Sequence, residues 1–139
     1  MSQASVSADQ LNAAATGTFP ALVGVAFTEG ERGRVAARLP IRDELLAPNR
    51  YLHAGAVVAL ADTCAGFGCM LSLPEGRTGF TTVELKANFT GTARQGEITC
   101  EAILVHDGRR TQVWDATVTD STSGRVIAMF RCTQMLLGD

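Results

Sequence analysis

The stretch "HAGAVVALADTCAGFGCML", residues 53–71, decides how the rest of the chain is read. It is apolar nearly all round, so as a helix it needs cover on nearly every side. Its small residues (Ala54, Gly55, Ala56, Ala59, Ala61, Ala65, Gly66, Gly68) let other backbone approach closely. Gly66 and Gly68 lower helix propensity by roughly 1 kcal/mol each, a loss that close packing must offset. One acid, Asp62, stands near the middle, where an ionised carboxylate is unfavourable unless compensated. A histidine, His53, stands nine residues before it.

Outward from this helix, taken as about residues 53–72, the pattern changes to strands. On the N-terminal side, residues 1–7 read as loose, and "SADQLNAAA" (7–15) offers a capping box, Ser7 with Gln10, for a short helix that Gly17 and Pro20 stop. "ALVGVAFTEGERGRVAARLP" (21–40) reads as two strands around a Glu-Gly-Glu-Arg-Gly turn, and "IRDELLAPNRY" (41–51) as a connection with room for a helical turn. On the C-terminal side "PEGRTG" (74–79) ends the helix. "FTTVELKANFTG" (80–91) then alternates, with Val83, Leu85, Ala87 and Phe89 on one face and Thr82, Glu84, Lys86 and Asn88 on the other. "GEITCEAILVHD" (96–107) turns at Asp107-Gly108, a strong hairpin signal, into "RRTQVWDATVTD" (109–120), and "STSG" (121–124) leads into "RVIAMFRCTQMLL" (125–137). The order predicts an α+β fold in which an antiparallel meander follows the helix and curls around it. The expected organisation is an N-terminal segment, 1–20, and one domain, 21–139.

Composition narrows the function classes. At 46% apolar and 19% charged residues the chain is globular. A net charge of -2 without a basic run gives no case for nucleic acid. Residues 54–73 approach membrane-spanning length, but the central Asp62, the glycines and the amphipathic strands argue against a span, so no membrane partner is expected. The N-terminus lacks the basic and apolar regions of a signal peptide. Cys64, Cys69, Cys100 and Cys132 form no CxxC pair and have no histidine at zinc-ligand spacing. They read as reduced, buried thiols of a cytoplasmic protein, with no metal site.

The chemistry starts at the two polar features of the helix. The first N–H groups of a helix lack intrahelical partners and can hold an oxygen that gains negative charge. His53 and Ala54 stand at that end. Asp62 lies roughly 13 Å further along the axis, too far for one helix to bring both to one reacting atom. Two antiparallel helices meeting in a dimer can do so, with donors from one chain and the carboxylate from the other.

These residues carry a resemblance. "LHAGAVVALADTCAGFG" (52–68) resembles the "HGG…LAD" helix of hotdog-fold acyl-CoA thioesterases, of the type associated with phenylacetate catabolism. "TTVELKANFTGTA" (81–93) resembles that family's "TVEL…N(F/Y)…PA" strand, and "GRVIAMFRCTQML" (124–136) its closing strand, so the likeness spans roughly residues 20–137. It implies a hotdog fold and hydrolysis of a small, medium-chain or aryl acyl-CoA to free acid and CoA. It also implies no cofactor and a homo-oligomer, dimer or tetramer. Asp62 matches the catalytic carboxylate, acting as nucleophile or as general base. Ala54 matches the glycine whose backbone N–H polarises the thioester carbonyl, His53 the histidine that orders that turn, and Thr82 a hydroxyl that helps position water.

Two departures stand out. Alanine replaces the glycine after His53, and Ala47 stands where the family has a polar side chain six residues before the histidine. Asn49 either substitutes for that side chain or is a turn residue after Pro48. Gly55 and Thr63, beside the two catalytic positions, are assigned to substrate binding. Arg94, Arg109 and Arg110 suit CoA phosphates or are solvated strand-end charges. The rival readings are a hotdog hydratase or dehydratase, which pairs its histidine and acid differently, and a non-catalytic acyl-CoA-binding module, which would be expected to lose Asp62.

Overall fold

The computed structural model describes residues 5–138. The elements are β1 (Ser5–Val6), α1 (Ala8–Ala15), α2 (Phe19–Val23), β2 (Ala26–Glu31), β3 (Arg34–Pro40), a 3-10 turn (Asp43–Leu45), α3 (Ala54–Leu71), β4 (Gly79–Phe89), β5 (Glu97–Asp107), β6 (Thr111–Asp120) and β7 (Val126–Leu137). The seven strands form one antiparallel sheet in the order β1-β2-β3-β5-β6-β7-β4.

The sheet wraps α3, as the sequence requires. Val57, Leu60, Cys64, Ala65 and Cys69 of the helix are buried together with Val35, Leu39, Ile98, Trp114, Val118 and Cys132 of the strands. Length and apolarity alone would let α3 cross a membrane. In this fold its apolar surface is used against the sheet. The two helix glycines are explained by that contact. A Cβ at Gly66 would stand 3.2 Å from the Phe80 ring, and one at Gly68 only 2.5 Å from the ring of the fully buried Trp114. Gly68→Ala is therefore expected to destabilise the fold by about 1–3 kcal/mol through overpacking, despite alanine's better helix propensity. Urea denaturation at equilibrium measures this.

The N-terminal capping box forms. Ser7 Oγ accepts from Gln10 N at 3.1 Å, and Gln10 Oε1 accepts from Ser7 N at 3.0 Å. Of the residues read as loose, 1–4 lie outside the described residues, while Ser5–Val6 pair with β2. Leu11 and Ala15 are buried in the common core, and Asn12 bonds both the N–H and the carbonyl of Phe27. Residues 5–20 thus pack on the same core, and the division drawn after residue 20 falls inside α2.

Three details differ from the sequence expectation. Pro20 opens α2 instead of only ending α1, because a first-turn position needs no N–H. Gly24, at φ 109°, ends α2, and the Arg42 guanidinium donates to the Leu22 and Val23 carbonyls there. The hairpin is therefore shorter than expected, starting at Ala26. Second, β5-β6-β7 is a meander but β4 is not part of it. β4 pairs with the last strand, β7, and so forms one edge of the sheet. Third, a bulge between Thr82 and Glu84 breaks the alternation of β4. Thr82 pairs with Gln134 and Leu85 with Cys132, two residues apart on β7 and so on one face. Thr82 therefore shares the helix-side face with Leu85, Ala87 and Phe89, contrary to the strict alternation.

Candidate active site

The start of α3 is built by the preceding loop. Ala47 N donates to Tyr51 O at 2.7 Å, and Leu46 and Leu52 form an isolated bridge. This delivers His53 to the N-cap position, where its Nδ1 accepts from Gly55 N at 2.7 Å and its carbonyl accepts from Ala56 N at 3.0 Å. The accepting ring nitrogen is Nδ1 and not Nε2. A Cβ at Gly55 would lie 2.9 Å from that nitrogen, so the cap needs glycine there. Among the described residues no group accepts from the N–H of Ala54. It remains a free donor at the positive end of the helix dipole. Among the described residues Arg50 is the one non-glycine with positive φ, so alanine at position 54 suits the backbone there and leaves the N–H in place.

A cleft of about 410 Å³ opens at this end of the helix, lined among others by Asn49, Tyr51, Ala54, Val57, Phe89 and Ile127. Asn49 Oδ1 accepts from Tyr51 N at 3.1 Å, an Asx turn, so the residue serves the turn and also lines the cleft. The Arg94 guanidinium stacks 4.4 Å above the Tyr51 ring and places a cation at the rim. Asp62 is not part of this cleft within one chain.

Asp62 belongs to a second group of residues, midway along the helix. Gly66, one turn further on, touches Phe80, whose partner on β7 is Leu136. The Asp62 stripe of α3 thus faces the β4–β7 rungs beside it, Thr82–Gln134 and Leu85–Cys132. Consistent with that placement, the Cys132 thiol is pushed up to about 12 by burial and then by the charge of Asp62. Burial raises the Asp62 carboxyl itself above its usual range. Asp62 is half-buried, and its Oδ1 has no hydrogen-bond partner. Thr82 Oγ1 donates to Gln134 Oε1 at 2.6 Å. Thr63 lies beside Asp62, half-buried.

Arg109 and Arg110 sit apart from both groups. They occupy the β5–β6 turn, where Arg109 O accepts from Arg77 Nε at 2.9 Å and Arg110 O from Leu136 N at 2.8 Å. That is the far end of β7 from Ile127 and the cleft. The four cysteines are free and buried, as expected. Burial pushes Cys69 up to about 12, so neither it nor Cys132 supplies a thiolate at neutral pH. Among the described residues no cluster of three His, Cys, Asp or Glu could hold a metal ion.

In one chain, then, the structure gathers His53, Ala54, Gly55, Asn49 and Arg94 at the helix start, and Asp62 and Thr82 further along. The sequence profile of the thioesterase superfamily matches residues 49–127, from the Asn49 turn through the start of β7. The chain belongs to the thioesterase superfamily.

Relatives agree with this assignment to the thioesterases. The 1,4-dihydroxy-2-naphthoyl-CoA hydrolase of Listeria monocytogenes is 31% identical over 111 residues, 80% of this chain and 89% of that protein. The proofreading thioesterase EntH of Klebsiella pneumoniae is 32% identical over 128 residues, 92% of each chain. The crystal structure of a mutant of thioesterase PA1618 from Pseudomonas aeruginosa superposes with a TM-score of 0.89 at 27% identity, covering 96% of both chains. The wrapped helix is thus the hotdog fold of this thioesterase, and its chemistry is thioester hydrolysis.

Sequence reasoning passed over Gln134. Its signal was there: the inward row of β7 reads Ala128, Phe130, Cys132, Gln134, Leu136, with one amide in an apolar series.

Proposed function

We propose that this thioesterase hydrolyses an acyl-CoA carrying a small, medium-chain or aryl acyl group, at a site completed by a second copy of the chain. The observation that carries the reading is the separation on α3. The free Ala54 N–H and the unpaired Asp62 carboxylate are the two groups thioester hydrolysis needs, yet they stand roughly 12 Å apart along one helix. The Ala54 N–H receives the oxyanion. Asp62 from the other chain attacks the carbonyl carbon or removes a proton from water that does. A thiolate leaves readily, so no strong general acid is required.

The edge strand supports the pairing. β4 is eleven residues long, and among the described residues only β7 bonds to it. Val83, Leu85 and Phe89 on it are 53%, 43% and 47% exposed. A long apolar edge of this kind is a template for another strand. Antiparallel pairing of two β4 strands about a two-fold axis lays the two α3 helices side by side in opposite directions. Arg94 at the cleft rim supplies a cation for CoA phosphate, and the Listeria relative is named as the hydrolase of an aryl-CoA, 1,4-dihydroxy-2-naphthoyl-CoA.

Free-thiol release from a panel of aliphatic and aryl CoA esters tests the activity, and sedimentation at the assay concentration tests the assembly. Thiol release by a dimer or larger oligomer is expected. No release from any CoA ester overturns the substrate class, and an active monomer overturns the shared site.

A further inference from the structure

Among the described residues, two buried side-chain atoms lack a hydrogen-bond partner: Asp62 Oδ1 and Gln134 Nε2. One is an acceptor and the other a donor. Buried polar groups are normally satisfied, so an orphan of each kind calls for an account. Both belong to the same part of the fold. The stripe of α3 that holds Asp62 faces the rungs 82–134 and 85–132 of the sheet, and Gln134 is fully buried on the helix side of the first.

The amide of Gln134 is oriented from its other end. Its Oε1 accepts the Thr82 hydroxyl at 2.6 Å, so Nε2 is left to donate. Its neighbours stiffen the rung. Gln112, the partner of Gln134 on β6, donates to Ser72 O at 2.9 Å and accepts from Trp114 Nε1 at 2.8 Å. Gln134 is thus the amide of the pair with an unused donor.

We propose that Gln134 is a positioning residue for Asp62: its Nε2–H, through one bridging water, holds the inner carboxylate oxygen Oδ1 and leaves Oδ2 to act on the thioester. The proposal rests on Asp62 being the catalytic carboxylate. A donor at Oδ1 fixes the plane of the carboxylate and favours its ionised form. It therefore opposes the effect of burial and keeps the group available as a base or nucleophile. The surroundings add no competing charge. Cys132 on β7 faces Asp62 but is neutral at working pH, while Glu84 and Lys86 on β4, Asp115 on β6 and Arg131 on β7 lie on the other face of the sheet. Thr82, bonded to Gln134 Oε1, fixes the amide in the donating orientation.

The test uses Gln134→Met, which keeps length and loses the donor, with Asp62→Asn and Thr82→Val alongside. Gln134→Met is expected to lower kcat about 10- to 100-fold, the range for a hydrogen bond to a charged group, with KM little changed. The acidic limb of its kcat profile moves to higher pH, and so does the Asp62 carboxyl midpoint followed by carbon-13 NMR. If Gln134→Met does not fold, Gln134→Glu keeps the oxygen that Thr82 bonds and sets a second carboxyl against Asp62, and the midpoint rises again. Coincident Asp62 midpoints in wild type and variant overturn the proposal. Wild-type kcat in Gln134→Met beside an inactive Asp62→Asn overturns the Gln134 role alone. Wild-type kcat in Asp62→Asn overturns the catalytic reading of Asp62 and this role with it. Thr82→Val, which only frees the amide to turn, is expected to shift the midpoint in the same direction and by no more than Gln134→Met; a Thr82→Val shift larger than that of Gln134→Met assigns the effect to the hydroxyl and overturns the role of the amide.

Discussion

Replacing Asp62 with asparagine is expected to lower thioester turnover by about 10²- to 10⁴-fold, the range for loss of a positioned base, and at the same time to make the protein more stable at neutral pH. The two effects share one cause. Burial raises the Asp62 carboxyl above its usual value, so the folded state holds that proton more tightly than the unfolded chain. Stability contributed by this group therefore rises as pH falls through the folded pKa, and is complete below the unfolded value of about 3.9. At pH 7 the ionised group opposes folding. Asparagine removes that opposition, so its stability advantage over wild type is present at pH 7 and fades toward pH 4. Thiol-release kinetics measure the loss, and urea denaturation at the two pH values measures the gain. An Asp62→Asn protein with wild-type turnover removes the carboxylate from the mechanism. One with unchanged stability at pH 7 shows that the folded environment does not penalise the charge.

The second large effect comes from Ala54→Pro. Proline is favoured in the first helical turn, where its fixed φ suits the backbone. His53 before it is already extended, at φ -66° and ψ 135°, as a residue preceding proline prefers. The substitution therefore removes the N–H donor and little else, and turnover should fall about 10²- to 10³-fold, as for loss of one oxyanion donor. Mixing is the sharper measurement. In a heterodimer of Ala54→Pro with Asp62→Asn, one site carries both lesions and the other carries neither. Co-refolding two inactive variants in equal amounts should restore about a quarter of wild-type activity, since half the dimers are mixed and each has one intact site. Persistent inactivity in a mixture shown to contain heterodimers would place both groups of each site on one chain.

These experiments separate what was legible in the residues from what was not. The central helix, the capping box at Ser7, the hairpin at Asp107-Gly108 and the N-terminal role of His53 are decided by neighbours a few positions apart, so a linear reading reaches them. The wrapping of α3 was legible as well, because a helix apolar on all sides has no other soluble arrangement. The small residues Gly66 and Gly68 marked the close approach, and the structure supplies the rings of Phe80 and Trp114 that make it.

What only the tertiary structure decided depends on pairing across long separations. β4 sits at an edge beside β7 instead of beside β5, and no local pattern distinguishes the two. A single bulged residue near Val83 turns Thr82 to the helix side, whereas hydrophobic alternation, which counts residues and not hydrogen bonds, placed it on the outer face. The Thr82–Gln134 bond joins residues 52 positions apart. The sequence by itself determined a sheet-wrapped helix with free N–H groups at its start and a carboxylate in its middle. The fold alone decided what faces that carboxylate, because burial and cross-strand register are properties of the assembled sheet.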